Sequence, residues 1–167
     1  MRKEITKEKA LERLEALCNR SEQCEFDLNR KLVNWGVSPS DREEILNSLK
    51  DDRYLDDERY ARSFAGDKAR FSYWGPQKIR MELIKKRIPA GIISEALHHV
   101  ESKVWREGLL KNAASKARSL DLLGEEGWEN GQKLYRYLMS RGFPSSAASK
   151  AVAYMRKLMK ESADREE

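Results

Sequence analysis

Carboxylates are the first side chains in this sequence whose spacing invites a chemical reading: Asp51, Asp52, Asp56 and Asp57 fall within one short stretch. Such a cluster could hold a divalent cation. It stands, however, just ahead of an amphipathic run, where acids meet the positive end of a helix dipole. Asp56 or Asp57 therefore reads as a helix cap in preference to a ligand. Cys18 and Cys24 are six apart, outside the CxxC spacing of redox and zinc motifs. His98 and His99 are neighbours on one expected helix, with side chains about 100° apart, a poor chelate. No nucleophile–base–orienter set and no phosphate-cradling glycine loop is present. The expectation is a chain without catalysis, metal or cofactor.

Bases are the better candidates. Between Lys68 and Arg87 stand seven of them (Lys68, Arg70, Lys78, Arg80, Lys85, Lys86, Arg87) against one acid, Glu82. The span 132–160 holds another seven (Lys133, Arg136, Arg141, Lys150, Arg156, Lys157, Lys160) and no acid. Two such stretches can track a phosphate backbone or an acidic protein surface. The plainer alternative is that they solvate helix faces. The contact candidates are Arg59, Lys68, Arg70, Lys78, Arg80, Lys85 and Lys86, with Lys133, Arg136 and Arg141 as a second patch. Phe71, Tyr73 and Trp74 sit among these bases, the composition of a stacking platform or an interface anchor. Aromatics so placed more often wedge neighbouring helices together. Trp35, Trp105 and Trp128 read as packing residues, and Tyr60 and Phe64 as core.

These side chains need elements to hold them, and composition points to helices. Charged residues make up 37% of the 167 and apolar residues 40%, while nine glycines and four prolines leave long stretches uninterrupted. That balance suits many small, surface-rich helices. A net charge of +5 suits an anionic partner but is ordinary in itself. No run approaches the roughly 18 apolar residues that span a bilayer, and the N-terminus lacks the apolar core of a secretory signal. The expected setting is the cytoplasm, with reduced thiols and no membrane partner. Apolar periodicity predicts helices over Lys7–Asn19, Glu22–Asn34 and from Ser38-Pro39 to Lys50, then over Asp56–Phe71 and from Gly75-Pro76. Others follow over Lys103–Ser119 and Ser145–Met159. Asp121–Gly131 reads as the longest connection, with Asn130 or Gly131 capping the next helix. Residues 161–167 read as a charged, disordered tail.

One corner recurs. Trp35-Gly36-Val37-Ser38 corresponds to Lys86-Arg87-Ile88-Pro89 and to Arg141-Gly142-Phe143-Pro144, at offsets of 51 and 55 residues. Nine residues before the apolar corner residue stand Leu28, Ile79 and Leu134; five before, Leu32, Leu83 and Leu138. Eight after stand Ile45, Ala96 and Ala151; nine after, Leu46, Leu97 and Val152; twelve after, Leu49, Val100 and Met155. Five apolar positions in register argue for an internal repeat. The fold class is therefore all-α: three tandem three-helix repeats (1–50, 51–102 and 103–160) in an elongated array that can curve.

The run Leu55-Asp56-Asp57-Glu58-Arg59-Tyr60-Ala61, followed by Gly75, Ile79, Glu82-Leu83 and Ile88, resembles the central signature of the RecX family of recombinase regulators. Leu28, Lys31-Leu32 and Gly36 are similar to that family's first repeat. Lys133-Leu134, Tyr137-Leu138 and Arg141-Gly142-Phe143 are similar to its last. The resemblance covers about residues 8–157. Two positions depart from it. Arg87 stands where the family commonly has a glycine, and must adopt a strained positive φ or end its helix differently. Cys24 stands where a serine often caps the second helix. The resemblance implies a non-enzymatic, monomeric regulator that binds the RecA recombinase on single- or double-stranded DNA and inhibits its ATP hydrolysis and strand exchange. The residues alone also allow a direct DNA-binding protein using a three-helix, helix-turn-helix-like unit, or a helical scaffold for an acidic protein.

Overall fold

A computed structural model describes residues 5–165; residues 1–4 and 166–167, the last two of the expected tail, lie outside the described residues. Among the described residues there are nine helices and no strand: α1 (Lys7–Arg20), α2 (Glu25–Asn34), α3 (Pro39–Asp51), α4 (Asp57–Phe71), α5 (Pro76–Lys85), α6 (Ala90–His98), α7 (Ser102–Ala117), α8 (Gly127–Ser140) and α9 (Ser145–Ala163). None is long and apolar enough to cross a membrane.

The first N–H groups of a helix lack intrahelical partners, and short polar side chains supply them. Thr6 Oγ1 accepts from Lys9 N–H at 3.3 Å, Ser38 Oγ from Asp41 N–H at 3.2 Å, and Asp56 Oδ1 from Arg59 N–H at 3.0 Å. Pro39 opens α3, as its preset φ favours. The Asp56 carboxylate is thus a cap, as its place before α4 predicts. Helix α2 starts at Glu25, three residues later than its periodicity suggests. Its N-cap, Cys24, makes no side-chain cap bond. Asp57 fills that role from α4: its Oδ1 accepts from Glu25 N–H at 3.1 Å.

The recurring corner is one hydrogen-bonding motif used three times. In each, the apolar residue's N–H reaches five residues back, from Val37 to Leu32 at 3.0 Å, Ile88 to Leu83 at 3.2 Å and Phe143 to Leu138 at 3.2 Å. The preceding N–H reaches three back, from Gly36 to Val33, Arg87 to Ile84 and Gly142 to Met139. This pairing closes a helix only when the residue after its last turn is left-handed. Accordingly φ is +78° at Gly36, +58° at Arg87 and +96° at Gly142. Arg87 takes the strained alternative, and its guanidinium lies 5.2 Å from the centroid of the Phe26 ring.

All five repeat positions are buried in all three copies, as are the corner residues Val37, Ile88 and Phe143. Burying a large aliphatic side chain contributes about 1.5–3 kcal/mol, so this register is the main apolar framework. The chain gathers into two compact units. One comprises Met1–Ser63 with Leu83–Ala96. In it α1 and α2 pack on α3 around Leu14, Leu28, Leu32, Ile45, Leu49 and Leu55. The other comprises Phe64–Glu82 with Leu97–Glu167. In it α7, α8 and α9 pack pairwise around Ala113, Leu134, Leu138, Ala148 and Met155. The middle set, α4–α6, gives residues to both.

Several expectations need correction. Helix α8 begins at Gly127, so Asn130 and Gly131 lie inside it. Asn130 Nδ2 donates to the Asp121 carbonyl at 2.8 Å. The Arg156 guanidinium lies over Gly131 and donates to the Gly127 carbonyl at 2.7 Å. These glycines admit a close neighbour and break nothing. Helix α9 continues to Ala163, past Met159. Trp128 is 70% exposed and does not pack, whereas Tyr60 and Phe64 are half-buried and not core.

Candidate partner-binding site

The candidate bases divide by what already holds them. In the unit containing α1–α3, Arg59 is occupied: its Nε donates to Glu22 at 2.6 Å and its Nη2 to the carbonyls of Arg53 and Tyr54 at 3.1 and 3.3 Å. The Glu22 bond holds the guanidinium pKa above its usual value. Lys86 donates to both Asp27 oxygens at 2.8 and 2.7 Å, with both side chains half-buried. Lys85, on the last turn of α5, is exposed. A small polar pocket lined by Glu25, Phe26, Asn29, Asp57, Lys86 and Arg87 adjoins these groups. Burial raises the Asp57 carboxyl pKa, and the Glu25 N–H bond opposes the rise.

The same unit settles the thiols. Cys24 is buried and donates to Asp27 Oδ2 at 3.4 Å. Desolvation pushes it up to about 11, so it is a neutral thiol at pH 7. Burial also raises the half-buried Cys18. Among the described residues, no group of three His, Cys, Asp or Glu side chains is placed to hold a metal ion.

In the other unit, two candidates converge on one ring. Lys68 on α4 and Lys78 on α5 place their Nζ atoms 4.8 and 4.5 Å from the Trp74 centroid. Phe64 meets that ring edge-on at 6.4 Å. Phe71, at the end of α4, is 77% exposed. Trp74 therefore wedges against Phe64, with two ammonium groups over its ring. Arg70 lies back along α4 over Gly66, and Arg80 is half-buried on α5. Lys133 and Arg136 are exposed on α8, with Lys133 bonded to Asn130 at 3.0 Å.

Arg141 stands apart from its expected patch. Its Nη2 donates to the Ser72 carbonyl at 2.6 Å and its Nε to Asn112 Oδ1 at 2.9 Å. The buried Asn112 in turn donates to the carbonyls of Tyr73 and Gly108, both at 2.8 Å. Tyr73 holds φ +53° within this network. Beside it, Gly75 N–H donates to the Arg141 carbonyl at 2.8 Å and Gln77 N–H to the Gly142 carbonyl at 2.9 Å. The start of α5 is thus capped by backbone oxygens of the third corner, at a range where a Cβ on Gly75 would strike the Gly142 carbonyl. Asn112 escaped the sequence reading. An asparagine on the apolar face of α7, beside Leu109 and Ala113, is the signal that could have found it.

Comparison with known proteins places these features in a family. Residues 56–97 match the RecX second three-helix domain. The regulatory protein RecX of Chlorobium limicola is 30% identical over 120 residues, covering 71% of this chain and 71% of that protein. The protein of the same name from Vibrio campbellii is 29% identical over 138 residues, covering 83% and 86%. The match to the Clostridium botulinum regulatory protein RecX spans 62% of that relative's length, at 29% identity. Among solved structures, a regulatory protein RecX superposes with a TM-score of 0.75 at 28% identity, over 84% of this chain and 68% of that one. The fold also matches RecX from Lactobacillus salivarius, with a TM-score of 0.76 at 21% identity over 90% and 96%.

Proposed function

The chain belongs to the RecX family of regulatory proteins, and on that premise we propose that it binds the RecA recombinase on DNA in the cytoplasm and inhibits its ATP hydrolysis and strand exchange. The observation that carries this reading is the Trp74 cluster. Two ammonium groups lie over the Trp74 indole, and Phe71 at the end of α4 is exposed. Cations beside aromatic faces suit a surface that meets phosphates and bases, or a protein already covered with nucleic acid. Arg59, Lys86 and Arg141 hold the fold, so the contact role falls first to Lys68, Arg70, Lys78, Arg80, Lys133 and Arg136.

The test is the DNA-dependent ATPase of the cognate RecA, measured with and without substoichiometric amounts of this protein. Inhibition accompanied by co-sedimentation with filaments supports the reading. Unchanged hydrolysis with no co-sedimentation sinks it. Tight duplex binding without RecA, falling steeply with salt, would favour direct DNA recognition instead.

A further inference from the structure

Helix α7 has two apolar faces. Leu109, Ala113 and Ala117 pack into the core formed with α8 and α9. Leu110 and Ala114, one turn apart, are exposed on a second face. Leu110 opens into a groove of about 440 Å³ between α7 and α9. Arg106, Leu109 and Leu110 form one wall, and Ala147, Lys150, Ala151 and Tyr154 the other. Both walls follow helical spacing, so each is one face of its helix. The floor is Leu109 and Ala151, and the lips carry Leu110 and Tyr154, 41% and 46% exposed. Large apolar side chains facing each other across a concave surface mark a place where a partner packs.

The charges narrow the partner. The ionic groups lining the groove, Arg106 and Lys150, are both basic. Helices α7 and α9 carry one acid each, Glu107 and Glu161, and each lies 3.8 Å from a lysine of its own helix, Lys103 and Lys157. The groove thus offers an apolar trough with uncompensated positive rims. A polyphosphate backbone would gain little from a leucine-and-alanine floor. An amphipathic helix seats its apolar face in such a trough, and carboxylates on its flanks meet the rims. We infer that the α7/α9 groove is a docking site for an acidic amphipathic helix of a partner protein. The inference stands apart from the RecA reading, because it concerns another surface and is probed without RecA or DNA.

The test uses the full chain, isotope-labelled for NMR. One synthetic helical peptide carries leucines at i, i+3, i+4 and i+7 with glutamates between them. A second has lysines in place of the glutamates. The acidic peptide should shift amides of Arg106–Leu110 and Ser146–Tyr154 saturably, and the lysine peptide should not. Leu110→Asp and, separately, Tyr154→Ala should each weaken binding by about tenfold. Lys150→Glu should weaken the acidic peptide and favour the basic one. Both replaced apolar side chains are exposed, so the variants keep the fold and the spectrum reports it. Equal binding of both peptides, shifts confined elsewhere, no binding, or the same shifts produced by a single-stranded oligonucleotide would each overturn the inference.

Discussion

The carboxylate of Asp57 accepts the backbone N–H of Glu25 at 3.1 Å, capping a helix that starts 32 residues earlier in the chain. Burial raises the carboxyl pKa, so the charged form is held at a cost and protonation favours the folded state. A group with a raised folded pKa contributes stability that fades as pH rises through that pKa. Asp57→Asn keeps an acceptor and sheds the charge, and should leave stability nearly unchanged at pH 7. Asp57→Ala strands the Glu25 N–H and should cost about 1 kcal/mol. Urea denaturation of both variants distinguishes the cap from the charge.

Arg87 holds a left-handed backbone that costs a residue with a Cβ about 1–2 kcal/mol, offset in part by its stack on Phe26 at about 0.5–1 kcal/mol. Arg87→Gly should therefore stabilise the fold by up to about 1 kcal/mol. Gly36→Ala has open space around its new methyl, so only the backbone penalty applies, and it should lose about 1 kcal/mol. If Arg87→Gly destabilises, the Phe26 contact outweighs the strain.

Gly75 and Gly91 separate space from conformation. A Cβ on Gly75 would strike backbone atoms of Gly142 and Phe143, whereas one on Gly91 meets nothing within 4 Å. Gly75→Ala should cost about 3 kcal/mol or more, because backbone cannot yield as a side chain can. Gly91→Ala, in the first turn of α6, should gain about 0.5 kcal/mol from helix propensity. Thermal melts of the pair test this.

Charge reversal at Lys78 and Lys85 should weaken inhibition of the RecA ATPase while the far-UV spectrum stays unchanged. Undiminished inhibition would make the central basic face a solvated surface. Lys86→Glu is a poorer probe. It would set a second carboxylate against Asp27 and cost about 1–3 kcal/mol of stability. Arg141→Ala should likewise act through stability, since it removes the bonds to Asn112 Oδ1 and to the Ser72 carbonyl.

Alkaline stability should fall early. Cys24 titrates at about 11 in the fold against 9.0 when free, and burial pushes the Tyr60 hydroxyl up as well. Both folded pKa values are raised, so each contribution is complete below the free value and is lost as pH climbs past it, through 9–11 for Cys24 and from 10.0 upward for Tyr60. Cys24→Ser and Tyr60→Phe should flatten that loss in a series of denaturant midpoints against pH.

The repeat was legible in the sequence because burial and corner geometry act on the same residues. Leu28, Ile79 and Leu134 recur at one distance from a left-handed position, and each is fully buried. Helix caps were legible for the same local reason, since Ser38 and Asp56 act within three residues. What escaped reading was long-range. The cap for α2 comes from α4, and the first turn of α8 hides behind Gly127 and Gly131, whose close neighbours are the Leu122 carbonyl and the Arg156 side chain. Arg59, Lys86 and Arg141 look in sequence like any surface base. Their carbonyl and carboxylate partners lie 5 to 69 residues away, a distance at which charge pattern carries no information.

The Asp57 cap also bears on how the protein can be dissected. A fragment cut after Lys50, where the first repeat closes, would discard the carboxylate that finishes α2 and the Lys86 ammonium that neutralises Asp27. The copies share a plan without being interchangeable modules. Hydrogen exchange at the Glu25 amide becomes a native reporter of whether α4 is docked, and cooperative unfolding rather than stepwise peeling is the behaviour such shared closure imposes on this unit.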